Sequence, residues 1–224
     1  MVATGSSPGR GALIVFEGCD RSGKTTQTQK LFDCLVAMGR KVELWRFPER
    51  TTGVGKMIDE YLKSGNNLPD EAIHLLFSAN RWETAPLLKS KLAAGVTIIT
   101  DRYAYSGVAF SAAKGLDLNW CKSPDIGLPL PDCVVFCDLH PEKAAKRGGF
   151  GEERYENIDM QLKVYHQFQK LRQSDWKVVD ASQSVDDMHE EIKTLALEAM
   201  DHCTSKPQQR SLWSATTTTN EIHQ

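Results

Sequence analysis

Residues Gly18-Cys19-Asp20-Arg21-Ser22-Gly23-Lys24-Thr25 match the pattern G-x-x-x-x-G-K-[ST], directly after the apolar run Ala12–Phe16 and ahead of a helix-compatible stretch. The octapeptide predicts a strand, a phosphate-binding loop and a helix in that order. Its two glycines let the backbone curl so that successive N–H groups point inward, and the helix N-terminus adds partial positive charge. Lys24 then reaches the β- and γ-phosphates of a nucleoside triphosphate, and the Thr25 hydroxyl is placed for Mg²⁺. A Gly/Ser-rich turn holding Gly-Lys by chance would lack the matched strand and helix on either side.

Composition narrows the classes that can surround such a loop. The chain has 224 residues, 41% hydrophobic and 25% charged, enough for one well-buried α/β domain. Lys and Arg number 27 against 29 Asp and Glu, a net charge of −2, so no overall basic field draws nucleic acid or anionic membrane. The six cysteines form no C-x-x-C, and no His pair stands at zinc spacing. Reduced thiols suit a cytoplasmic compartment, with the nucleus and mitochondrion compatible. No apolar run approaches the length of a membrane span.

Five β-type runs alternate with helical stretches: Ala12–Phe16, Val42–Arg46, Val96–Thr100, Cys133–Asp138 and Lys177–Val179. This alternation predicts an α/β fold with a five-stranded parallel sheet and helices on both faces. Helices are expected over Thr25–Met38, closed by Gly39, and from the capping-box sequence Ser184-Val185-Asp186-Asp187 onward. A long helical pattern from Asp70 to Ala94 contains Pro86, which should kink or break it. Residues 1–10 are expected to be a flexible segment, 11–203 the folded domain, and 204–224, with its threonine run, a disordered tail.

In open α/β sheets ligands sit at the carboxyl ends of the strands. There the sequence places Phe47-Pro48-Glu49-Arg50, Asp101-Arg102-Tyr103, and a later basic loop from Lys146-Arg147 to Arg154-Tyr155. Three loops thus bring arginine to the expected phosphate site. A nucleotide switch holds one nucleotide and has no obvious need of Arg50 and Arg102 beside Lys24. A kinase of small phosphorylated substrates does, because a second anion must be held against the γ-phosphate. The chain also has no N-K-x-D guanine-reading motif. His74 reads as structural, and Cys19 as a spacer whose thiol position invites alkylation.

The segments Phe47-Pro48-Glu49-Arg50, Leu75–Glu83 and Asp101-Arg102-Tyr103, with the Asp-Arg pair inside the phosphate loop, together resemble the eukaryotic type of the thymidylate kinase family over about residues 11–203. The resemblance implies a P-loop NTPase fold with a short lid at about 146–156. It implies ATP-dependent phosphorylation of dTMP to dTDP, in dTTP biosynthesis, by in-line transfer with Mg²⁺ in a homodimer. Gly18, Asp20, Arg21, Ser22, Gly23, Lys24, Thr25, Thr26 and Arg147 would hold ATP, with Arg147 over the adenine. Thr25 and Asp101 would serve Mg²⁺, directly or through water, although an Asp at a strand end also caps helices.

On the acceptor side the resemblance implies Phe77 as a platform for the base and Arg81, one turn later on the same helix face, as a donor to a thymine carbonyl. Periodicity alone equally allows Phe77 in a core stripe with Ile73, Leu76 and Trp82. Arg50 and Arg102 would hold the monophosphate, Asp20 the sugar 3′-hydroxyl, and Phe47 and Tyr155 would line the same site. Tyr103 and Phe110 either crowd the 2′ position or simply pack. Arg21, Lys24, Asp101 and Arg102 make up the expected catalytic set, with Arg21 stabilising charge on the transferring group. The Phe47-Pro48 bond is a candidate cis peptide, and the apolar faces of 70–94 and 103–113 are candidates for a dimer interface, although core burial explains the same pattern.

Overall fold

The computed structural model describes residues 9–147, 153–204 and 210–213. The expected flexible stretch 1–8, the lid core 148–152 and tail residues 205–209 and 214–224 lie outside them. Five parallel strands, β1 (Leu13–Glu17), β2 (Val42–Arg46), β3 (Thr97–Asp101), β4 (Cys133–Asp138) and β5 (Lys177–Asp180), are ordered β2-β3-β1-β4-β5. The sheet is the one expected. Three strand ends shift by a residue, because ladder pairing runs through Glu17, Asp101 and Asp180. Asp101 is therefore the last residue of β3 rather than the first after it.

Helices pack on both faces: α1 (Lys24–Ala37), α2 (Gly53–Leu62), α3 (Asp70–Ala93), α4 (Ala104–Ala113), α5 (Leu118–Lys122), α6 (Pro141–Ala144), α7 (Ile158–Leu171) and α8 (Val185–Thr204). A 3₁₀ turn at Ser123–Asp125 follows α5. The pleat divides β1 between two cores. Leu13 and Val15 join the cluster under α3, α4 and α7, while Ile14 and Phe16 join the one under α1 and α8. A strand covered on both faces needs continuous apolar sequence, which Leu13-Ile14-Val15-Phe16 supplies. With β3 on one side and β4 on the other, β1 delivers the phosphate loop to the middle of the sheet's carboxyl edge.

Three expectations are corrected. Helix α3 runs through Pro86 unbroken, its second half held by buried Ala85, Leu88 and Leu92 against the sheet. Helix α4 is buried in the chain's own core at every position except Phe110, which is the core-burial reading left open for it. Arg10 is not loose: its guanidinium forms a 2.6 Å ion pair with Asp132. Past residue 203 the chain also regains a place in the fold. Leu212 is fully buried, and Arg210 and Leu212 exchange backbone hydrogen bonds with the Gly127–Leu130 loop. The sequence around Leu212 is too polar for hydrophobic periodicity to reveal this.

Candidate active site

Between β1 and α1 the loop turns at Gly18, with φ of 143°, and at Gly23, with φ of 92°. A Cβ on Gly18 would meet the Cys137 carbonyl oxygen at 2.7 Å, so glycine is required there both by dihedral and by space. Arg21 also takes a left-handed backbone, φ 60°, and its guanidinium lies 3.7 Å from the Glu156 carboxylate at the groove. Lys24 is buried and donates from Nζ to the Cys19 carbonyl at 2.6 Å; burial, then the nearby Arg102 charge, pulls its pKa down. The Thr25 hydroxyl donates to Asp101 Oδ2 at 2.5 Å, bringing α1 and the end of β3 together at one oxygen-rich point. Cys19 is buried, and burial pushes its thiol up to about 12, which removes the reactivity its position suggested.

Arg102 follows β3 in a left-handed conformation, φ 71°. The cause lies in Glu17, the last residue of β1. Its buried carboxylate accepts the Tyr103 and Ser106 N–H groups at 3.0 and 3.1 Å and the Ser106 hydroxyl at 2.5 Å. It thereby caps α4, whose own N-cap residue, Tyr103, makes no side-chain cap bond. Burial raises the Glu17 pKa against the pull of these donors. Held this way, Arg102 donates to the Gly18 carbonyl and pairs with Asp20 of the phosphate loop. Gln161 of α7 completes the arrangement. It accepts from the Asp20 N–H at 2.8 Å and donates to Asp20 Oδ2 at 2.6 Å.

Beside this junction a cavity is lined by Phe47, Arg50, Phe77, Arg81, Phe110 and Tyr155, with Pro48 and Tyr103 in its wall. The Phe47-Pro48 peptide is cis. Asn80, wholly buried on α3, accepts from the Glu49 N–H at 2.7 Å and donates to the Glu49 carbonyl at 3.0 Å, fixing the loop that carries Arg50. Arg50 forms ion pairs with Asp59 at 2.6 Å and Glu153 at 2.8 Å. Arg81 pairs with Asp125 at 2.6 Å, both side chains essentially inaccessible. Phe77 is half-buried and faces the cavity from α3, so it serves the pocket wall and the adjoining α2–α3 cluster at once. The Tyr103 ring lies 5.7 Å from Phe47 and its hydroxyl donates to the Pro129 carbonyl, 3.2 Å away. Tyr155 and Phe110 rings are 5.5 Å apart.

A second groove runs over the phosphate loop, lined by Arg21, Gly23, Lys24, Thr25 and Thr26, with Arg147 across it. Arg147 donates to the Arg21 carbonyl at 3.1 Å and the Ala181 carbonyl at 2.6 Å, linking the loop to the turn after β5. Groove and cavity share Asp20, Arg46, Arg102 and Glu156. Two elongated ligands would meet end to end at those four residues, the layout group transfer needs.

The thymidylate kinase family model matches residues 16–192. The chain belongs to the thymidylate kinase family. It is 53% identical over 202 residues to thymidylate kinase of Homo sapiens, covering 88% of this chain and 95% of that one. It is 55% identical over 196 residues to that of Schizosaccharomyces pombe, covering 85% and 93%. A solved structure of thymidylate kinase from Candida albicans superposes with a TM-score of 0.79 at 34% identity, covering 92% of this chain and all of that one. The enzyme phosphorylates dTMP to dTDP with ATP as phosphoryl donor, on the P-loop NTPase fold.

All the site residues singled out in the sequence line the groove or the cavity except Gly18 and Ser22; the lid core, 148–152, lies outside the described residues. Gly18 and Ser22 are placed by geometry, Ser22 as a buried acceptor 3.4 Å from Lys24 Nζ. Sequence reasoning missed Glu17, Arg46, Asn80, Asp125 and Gln161. Arg46 had a signal, a basic residue closing a predicted strand. The other four are ordinary polar residues whose work is done on partners at least 31 positions away. His74, as expected, is structural, buried between the Ser111 hydroxyl at 2.8 Å and the Cys121 carbonyl at 3.0 Å.

Proposed function

We propose that the groove over the phosphate loop takes ATP and the aromatic cavity takes dTMP. The observation that carries the assignment is the shared rim at Asp20 and Arg102, between a loop of backbone donors and a cavity floored by Phe77 and Arg81. The loop N–H groups and Lys24 hold the β- and γ-phosphates, and Arg147 covers the adenine. Phe77 stacks on the thymine and Arg81 donates to its carbonyl, where the amine of cytosine would offer no acceptor. Arg50 and Arg102 hold the 5′-phosphate by charge-assisted hydrogen bonds. Asp20 accepts from the sugar 3′-hydroxyl, and Phe47, Tyr103, Phe110 and Tyr155 shape the sugar and base wall.

Mg²⁺ suits the hard oxygens of Thr25 and Asp101, which already meet at 2.5 Å in the donor groove. Those two residues would hold it, the carboxylate directly or through water, and the bound ion neutralises charge on the phosphate oxygens. Arg21 then stabilises the charge of the transferring phosphoryl group and Arg102 bridges towards it, in an in-line displacement that needs no protein nucleophile. Steady-state kinetics of two single variants tests the division of labour. Phe77→Ala is expected to raise the KM for dTMP and leave that for ATP, and Arg147→Ala the reverse. Crossed effects would overturn the assignment.

The same reading extends to assembly and compartment. A homodimer is supported by family resemblance and by the exposed Leu75 and Leu87 of α3, with light scattering as its test. Cytoplasmic residence, with the nucleus and mitochondrion as the alternatives, is supported by six cysteines that form no disulfide among the described residues, and cell fractionation tests it. Among the described residues no helix is long and apolar enough to cross a membrane.

A further inference from the structure

Asp125 lies at the end of the 3₁₀ turn after α5, 44 positions beyond Arg81, and is completely inaccessible. Its carboxylate accepts from Arg81 Nε at 3.1 Å through Oδ1 and from Arg81 Nη2 at 2.6 Å through Oδ2. Ser78, one turn before Arg81 on α3, donates to the same Oδ1 at 2.7 Å. Two parallel bonds from one edge of a planar guanidinium leave no rotation about its axis. The remaining nitrogen, Nη1, makes no hydrogen bond among the described residues, and Arg81 borders the cavity assigned to dTMP.

The opposite side of the guanidinium is closed by backbone. A Cβ on Gly107 of α4 would stand 2.8 Å from Nη2 and 3.0 Å from Nη1. The turn that carries Asp125 is itself pinned to α3, because Trp82 Nε1 donates to the Pro124 carbonyl at 2.7 Å. Burying an ion pair this deeply adds little net stability, since the cost of stripping water from both charges offsets their attraction. What the pair does supply is a fixed direction for a charged donor.

We propose that Asp125, oriented by Ser78, is a positioning residue for base selection: it aims the free Nη1 of Arg81 at the 4-position of the pyrimidine, so that a carbonyl is accepted and an amine refused. The proposal rests on the assignment of Arg81 as the base reader. Asp125 touches no substrate and acts only through Arg81. A guanidinium free to swing would turn away from the cytosine amine and lose the penalty for it, while a clamped one cannot.

The test compares kcat/KM for dTMP, for dCMP, and for the dTMP analogue in which the base 4-oxygen is replaced by hydrogen. The wild-type enzyme, Asp125→Asn and Ser78→Ala are assayed, with the KM for ATP and the melting temperature measured alongside. Wild type is expected to prefer dTMP over the 4-deoxo analogue by about 10- to 100-fold. Asp125→Asn is expected to lose most of the dTMP over dCMP preference, through a lowered KM for dCMP together with a raised KM for dTMP, with the KM for ATP unchanged. Ser78→Ala leaves the ion pair intact and is expected to lower the preference by about 3- to 10-fold. It decides the matter alone should Asp125→Asn not fold. A wild type indifferent to the 4-oxygen would overturn the reading of Arg81 and the proposal with it. A wild type that discriminates, with the dTMP over dCMP ratio unchanged in the variants that fold, would overturn the proposal and leave Arg81 in place. Equal losses for every acceptor, together with a lowered melting temperature, would reduce Asp125 to a structural role and also overturn it.

Discussion

The donor groove and the acceptor cavity share a rim, yet they are organised by different physics. The donor side is eight consecutive residues whose shape comes from local dihedrals, positive φ at Gly18, Arg21 and Gly23, and whose ligand-binding groups are largely backbone N–H. The acceptor side draws on β2, α3, α4 and the segment before α7. Three of its arginines are held by carboxylates distant in sequence, Arg50 by Glu153, Arg81 by Asp125 and Arg102 by Asp20, with Asp59, nine residues on, as a second partner of Arg50. On the proposed assignment a triphosphate would be met by a strip of consecutive backbone donors. A base and its monophosphate are met by side chains, which must be aimed, and the aiming is done by long-range ion pairs.

The sharpest break of that contrast is Arg21→Ala, which removes a side chain from the locally determined strip. It is expected to lower kcat by roughly 10³-fold or more with a small change in the KM for dTMP, read in single-turnover experiments. A loss confined to KM would move Arg21 to the binding side. Next comes Glu17→Ala, which leaves three buried donors of Tyr103 and Ser106 without an acceptor. Destabilisation of about 3 kcal/mol is expected in urea unfolding, because orphaned buried donors retain their desolvation penalty. An unaffected midpoint would show that α4 caps itself.

Arg50→Ala acts on the acceptor side alone. Loss of charge-assisted hydrogen bonds to a phosphate, about 1.5–3 kcal/mol, should raise the KM for dTMP roughly 10- to 150-fold with the ATP value preserved. A parallel rise for ATP would erase the distinction between the two sites. Acid sharpens the contrast from another direction. Burial, and then the Arg81 charge, depresses the pKa of His74 below its ordinary value near 6.5, against the pull of Asp125 and the Cys121 carbonyl. The unfolded chain therefore binds the proton more readily. Stability present above about pH 6.5 is lost as the pH falls below it, at most about 1.4 kcal/mol per pH unit. Urea midpoints at pH 7.5 and 5.5 should differ less in His74→Asn than in wild type.

The smallest expected effect is at Glu153. Its carboxylate sits 2.8 Å from the Arg50 guanidinium, where the acceptor phosphate is expected, so the two anions compete. Glu153→Gln should tighten dTMP by up to about 5-fold, the scale of a partly exposed pair at 0.2–1 kcal/mol. Weaker binding would mean that Glu153 orients Arg50 and does not compete for it.

Legibility followed the same division. Strands β1 and β4 could be read because two-sided burial demands apolar runs, β3 because its Ile98-Ile99 pair lies between β-branched threonines, and the phosphate loop because its glycines answer to local geometry. Arg50, Arg81 and Arg102 were found through strand ends and resemblance, whereas nothing in the sequence around Asp125 or Gln161 marks them. Pro86 misled for a related reason: its local cost is outweighed by the packing of Ala85, Leu88 and Leu92, which no local rule contains. Leu212 is the counterpart at the other end, with Trp213 an apolar pair in a polar stretch that finds its place because the Gly127–Leu130 loop and the Tyr105 ring are there to meet it.

By itself, then, the sequence determined where phosphate would be gripped and that a parallel sheet would carry the grip, since both follow from dihedral preference and apolar periodicity within a few consecutive residues. The tertiary structure alone decided how the acceptor is read. That Arg50 meets Glu153, Arg81 meets Asp125 and Arg102 meets Asp20, and so which way each donor points, depends on segments that become neighbours only after the sheet has brought them together.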